Sequence, residues 1–214
     1  ARYGYRPEDV DPQHRGRFTA RDYEMLMPLI QRQPYIDSVG TWTPTMPEPD
    51  VDLDHYRSVL YRSFEGNILK AYHLAFGVPF TDADYQDIWL EADPIEVAPI
   101  VVTRSARYHP PNGDAGWQAI IDTGMLNEGA VFVGTPAEHA KFTEQFNIEM
   151  PYRPVNDFLE LAGIVAGSEL VVCNQGFTYS LAVGLGKSAI LELNKLVPQQ
   201  YNECYFPREN IQYF

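Results

Sequence analysis

Cysteine is nearly absent from these 214 residues: Cys173 and Cys204 are the whole complement. Two thiols make neither a disulfide framework nor a zinc ligand set, so a reducing, cytoplasmic compartment is expected. Cys173 falls inside an apolar stretch and reads as a small buried residue. No apolar run reaches the roughly 20 residues that span a bilayer, so no membrane span is expected. The opening ARYGYRPEDV is polar and has no signal-peptide pattern. It lacks an initiator Met and shows no hydrophobic period before Thr19, so the chain reads as a processed, trimmed or fragmentary copy of something longer. Positive charge is scarce as well. Lys and Arg total 16 against 29 Asp and Glu, a formal net charge of −13, with no basic run. A sequence-independent grip on nucleic acid is therefore not expected, because that affinity comes from neutralising phosphates. Local basic spots can still hold one small anion. Repeats and low-complexity tracts are missing too.

What is present is a chain with the apolar content of a packed core, 45%. Its first half is irregular. Thr19 caps an expected helix over 20–33, which Pro34 ends. YIDSVGTW (35–42) reads as a short strand, and the prolines of 43–51 as loop. A helix is expected over 63–76, with Gly77 as its C-cap. YQDIWLEA (85–92) alternates polar and apolar residues and reads as a strand. The Asp93-Pro94 to Pro99 stretch is the expected domain boundary. It divides an N-terminal unit, 1–95, from a second unit, 96–214.

The second half is regular. Strands are expected over 100–105, 129–135, 169–173 and 188–193. Helices are expected over 114–125, 136–147 (with Pro at the first turn), 155–168 and 176–185. Apolar strands alternating with helices mean a parallel α/β sheet buried on both faces. The fold class is α/β, with a Rossmann-like C-terminal domain and a smaller or incomplete N-terminal α/β domain.

The stretch VVCNQGFTYS (171–180) carries the most chemistry. A buried strand breaks at Asn174-Gln175-Gly176 and resumes as a helix. In open parallel sheets ligands bind outside the carboxyl ends of the strands, where helix N-termini present amides to anions. Gly176 permits close backbone approach, and Thr178 offers a hydroxyl near the helix start. Asn and Gly also favour turns whatever the function, so the residues alone leave a plain βα turn open.

From about 100 to 193 the chain resembles the ADP-heptose:lipopolysaccharide heptosyltransferase family. That family's hallmark segment is like ADLVVGNDSGPMHLAAALGKPVVALF. The counterpart here is GSELVVCNQGFTYSLAVGLGKSAILEL, with Asn174, Leu181-Ala182, Gly186 and Lys187 identical in register and Gly176 and Gly184 at the family's small Ser and Ala. VFVGTPAEHAKF is similar to the family's LVGGPAERE run and places Glu138 at its acidic position. IVVTRSARYHPPNGDAGWQAII is similar to the segment carrying the family's phosphate-binding residues, with Trp117 at the family's Trp. The resemblance implies the two-Rossmann glycosyltransferase architecture called GT-B. It also implies a nucleotide-diphosphate sugar as donor partner, an acceptor hydroxyl, and inverting transfer without a metal or cofactor. Two departures stand out. The family's opening strand and glycine-rich LGD turn, which carries the catalytic acid, has no match. The family's Lys just before its Trp is replaced by Ala115-Gly116, so Arg104 or Arg107 is expected to supply that charge, with a solvated loop as the plainer reading of both.

The implied nucleotide-binding set is Arg104, Arg107, Glu138, Asn174, Gln175, Gly176, Phe177 and Thr178. No catalytic residue is assigned; Asp52, Asp54 and His109 are the candidates. The DVDLDH run (50–55) has spacings that suit a divalent cation but reads more simply as solvated loop, and no metal site is expected. His139 is expected to be exposed and His73 to be a half-buried packing residue. The aromatic C-terminus, YNECYFPRENIQYF, is expected to pack across the other domain or to form a dimer contact. Two other readings stay open: a non-catalytic nucleotide-binding relative or fragment, and a sugar-nucleotide epimerase-type enzyme.

Overall fold

A computed structural model of the chain describes residues 19–40, 43, 45–53, 66–105, 113–127, 129–193 and 198–214. Short apolar strands supply the framework: β1 (Ile100–Thr103), β2 (Ala130–Val133), β3 (Tyr152–Arg153), β4 (Leu170–Asn174), β5 (Ser188–Glu192) and β6 (Ile211–Tyr213). They form one six-stranded sheet, all parallel, in the order β3-β2-β1-β4-β5-β6. This is the strand order of the doubly wound Rossmann sheet, whose switch point lies between β1 and β4. The fold class is thus α/β, Rossmann-like.

Both faces are covered, which is why the central strands are almost wholly apolar. Val102, Phe132 and Val172 face α3 (Gly113–Asp122) and α4 (Pro136–Phe146), packing on Trp117, Phe142 and Phe146. Val101, Val171, Cys173 and Leu191 face α5 (Phe158–Gly167) and α6 (Phe177–Gly184). The first helix, α1 (Ala20–Gln31), packs on α5 and starts with a capping box between Thr19 and Asp22. A further helix, α2 (Ile68–Ala75), is shorter than the expected 63–76; residues 63–65 lie outside the described residues.

The expected strand over 85–92 is corrected by the structure. Residues 82–86 form a 3-10 turn, and the chain then runs extended without joining a ladder. It crosses α5 and α6 over glycines. Trp89 and Leu90 donate their amides to the Gly184 carbonyl (3.0 and 2.9 Å), and Ile95 donates to that of Gly163 (2.9 Å). A methyl group at Gly167 would meet the Ile95 carbonyl oxygen at 2.4 Å, and one at Gly184 would meet Leu90 at 2.7 Å. The glycines let an extended segment lie directly on two helices. The expected strand at 35–42 is not formed over its described residues 35–40 either; Tyr35 instead donates its hydroxyl to the Trp89 carbonyl (2.6 Å).

The C-terminal segment bonds to residues 67, 68 and 85–87 of the expected 1–95 unit and also joins the sheet. It supplies β6, which pairs with β5 on the same sheet. Arg208 anchors it. This buried guanidinium donates to three backbone carbonyls: Tyr85, Val183 (2.7 Å) and Asp87 (2.7 Å). Phe214 lies across α3. Its ring meets Trp117 edge-on at 5.5 Å and occupies the place where a side chain at Gly116 would stand. That explains why residue 116 carries no side chain.

Candidate functional site

The carboxyl ends of β1 and β4 are tied by one side chain. The Asn174 amide accepts from the Ser105 N–H (2.9 Å) and donates to the Ser105 carbonyl (3.0 Å). It thereby continues the β1–β4 ladder past its last backbone pair, Thr103 with Cys173. Gln175 is buried and donates to Asn202 (3.3 Å), joining the corner to the C-terminal segment. Both residues of the expected binding set therefore have structural partners. Gly176 is the N-cap of α6 and is extended (φ −167°). Among the described residues, a Cβ there would meet Ser105 Oγ at 3.7 Å and the Asn174 carbonyl at 3.8 Å, ordinary contacts. With no side-chain oxygen at the cap, the first amides of α6 receive no capping partner from residue 176. Thr178 is half-buried and Phe177 exposed beside them.

Arg104 sits on the opposite face of the same row and is almost fully buried. Its Nε and Nη2 form a bidentate pair with Glu192 (3.0 and 2.8 Å), whose side chain has no exposed surface. Nη2 also donates to Asp114 (2.7 Å), and Nη1 to Gln145 (3.3 Å). Trp117 Nε1 donates to Glu192 (2.7 Å), and the guanidinium lies 5.4 Å from the Phe146 ring. Burial alone would lower the arginine's pKa, but the bonds and charges of Glu192 and Asp114 outweigh it and hold the pKa above its usual value. An open cleft of about 510 Å³ lies over this cluster, lined by Arg104, Asp114, Lys141, Glu144 and Gln145. Its two cations face two carboxylates, so it has no net positive character.

Glu138 lies at the carboxyl end of β2, where its carboxylate accepts from the Thr135 N–H and hydroxyl (2.9 Å each) in the capping box of α4. His139 is half-buried rather than exposed, with Nε2 2.8 Å from the Met150 carbonyl and its ring stacked on Tyr152. His73 is half-buried as expected, against Phe80. Asp52 is exposed. Arg107, His109 and Asp54 lie outside the described residues. Among the described residues no group of three His, Cys, Asp or Glu could hold a metal ion, and no helix is long and apolar enough to cross a membrane. Both cysteines are free thiols, and burial raises the pKa of each, that of Cys204 to about 12.

Sequence reasoning missed Glu192 and Ser105. Glu192 had a signal, being a lone carboxylate in the apolar run AILEL. Ser105 had none beyond following a strand.

No protein-family model matches the chain, and no curated protein sequence matches it. It is similar in structure to a glycosyl transferase of family 9 from Veillonella parvula DSM 2008, with 14% identity and a TM-score of 0.39. The match covers 68% of this chain and 38% of that one.

Proposed function

We propose that the chain is the donor-binding part of a glycosyltransferase-like protein, holding a nucleotide-diphosphate sugar at the β1/β4 switch point. The observation that carries this reading is the corner itself. The N-terminus of α6 opens at the switch point behind a residue with no side chain. Amides and the positive end of a helix dipole suit a diphosphate. The sequence resemblance over 100–193 supplies the sugar and the reaction class. In the transfer, the acceptor oxygen attacks the anomeric carbon as that carbon's bond to the diphosphate oxygen breaks. The acceptor proton passes to a general base, and the diphosphate leaves with the bonding pair. Amides at 176–178 stabilise the charge that develops on it. Of the two arginines expected to add to that stabilisation, Arg104 is committed to Glu192 and Asp114, which leaves the role with Arg107. A nucleotide-binding relative without transfer is the second reading. It is favoured by the commitment of Asn174, Gln175 and Arg104 to partners within the chain.

The test is calorimetric titration of UDP, GDP and ADP into the parent chain and Gly176→Val. A Cβ at residue 176 would make only ordinary contacts with the described residues, on an extended backbone, so the variant should fold, which its melting temperature checks. A valine side chain would nevertheless stand where the diphosphate approaches. Binding that is lost in the folded variant supports the site. Unchanged binding removes the site, and a parent that binds none of the three removes the function.

A further inference from the structure

Phe177 has no explanation in the fold. It is the first residue of α6 and is 41% exposed, the one exposed phenylalanine among the described residues. The apolar residues that follow it in α6, Tyr179, Leu181, Ala182 and Val183, are all buried. Pro is over-represented at a first helical position, and acidic residues are favoured in the first turn. Its Cα–Cβ bond tilts toward the helix N-terminus, so the ring leans to the carboxyl end of the sheet and away from the core. Phe158, the first residue of the neighbouring helix α5, stands beside it. The two ring centroids are 4.4 Å apart at 43°. Phe158 is half-buried and packs on the core, so it braces Phe177.

We propose that Phe177, braced by Phe158, is a stacking platform for the base of the nucleotide. This rests on the donor-site reading above. A ligand whose anionic end meets the α6 amides has its remaining bulk beside the first side chain of that helix. A flat, apolar heterocycle gains most from a fixed aromatic ring there, and a nucleoside diphosphate carries both parts. Stacking is tolerant of base identity, so adenine and uracil nucleotides should both profit.

The probes are ADP, UDP and inorganic pyrophosphate, titrated at up to millimolar concentration into the parent, Phe177→Leu and Phe177→Trp. Leucine keeps an apolar side chain but removes the ring, and an exposed position lets both variants fold. The leucine variant should bind the nucleotides about five- to a hundred-fold more weakly, with pyrophosphate binding unchanged. The tryptophan variant should bind them at least as well as the parent. Equal nucleotide affinity in Phe177→Leu overturns the platform and leaves the donor site standing. A parallel loss of pyrophosphate also overturns the platform, since the corner itself would then have moved. A parent that binds no nucleotide overturns the donor-site reading, and the platform with it.

Discussion

Replacing Arg104 by alanine should destabilise the protein far more than any change in charge at its surface. The guanidinium makes four hydrogen bonds, two of them to a carboxylate that no water reaches. Alanine leaves Glu192 buried, with Trp117 still donating to it, and takes away the Arg104 guanidinium that pairs with it. Removing one partner of a buried pair costs about 3–5 kcal/mol. At roughly 2–4 °C per kcal/mol for a chain of this size, the melting temperature should fall by about 6–20 °C. Arg104→Lys keeps the charge but loses the planar fork, and should fall between parent and alanine. Adding Glu192→Leu to the alanine variant removes the buried carboxylate and should recover part of the loss. Asp114→Asn is the control. That side chain is 62% exposed, so the change should cost about 1 kcal/mol or less. Differential scanning calorimetry reads all five proteins, parent included. An Arg104→Ala protein melting within about 2 °C of the parent would refute the reasoning. So would a double variant less stable than the single one.

Gly167→Ala should cost about 1–3 kcal/mol by pushing the extended segment off α5, because the obstructing atoms are the Ile95 backbone; urea unfolding measures it, and a neutral result would mean that the segment yields freely. The buried Cys173 thiol should resist alkylation at pH 8 in the native chain and react on unfolding, and labelling at the rate of free cysteine would contradict its burial. Cys204 holds its proton up to about pH 12 in the fold and to about 8.5 unfolded. Its contribution to stability is therefore complete below about pH 8.5 and lost as pH climbs toward 12, so Cys204→Ala should lose less stability than the parent over that window.

The second half of the sequence was legible because β-branched runs such as IVVT and LVVC can be satisfied only between two covering layers. β1, β2, β4 and β5 and the helices between them lie within a few residues of where the pattern puts them. Residues 85–92 misled for a physical reason. Alternation reports extended backbone, and an extended segment lying on helix glycines alternates as a strand does. β3 and β6 are two and three residues long, too short to carry a period. The motif around GLGKS was legible as a match but not as a role. Gly184 admits the extended segment. Gly186 has φ +69° and closes α6 with Lys187 in a Schellman pattern, through Gly186 N–H to Val183 and Lys187 N–H to Ala182. Lys187 Nζ donates to the Ala166 carbonyl at the end of α5 (2.9 Å). Much of that resemblance is therefore explained by helix ends and close packing. Which partner Asn174 or Arg104 would choose depended on Ser105 and Glu192, brought beside them only by the sheet register.

The most direct test of the donor site is an amide NMR titration of the chain with ADP and with UDP. The account expects the largest shifts at Gly176, Phe177, Thr178 and Ser105, with the free nucleosides moving the first three far less than the diphosphates do. Shifts centred instead on Lys141, Glu144 and Gln145 in the α3–α4 cleft, or no shifts at the start of α6, would contradict it.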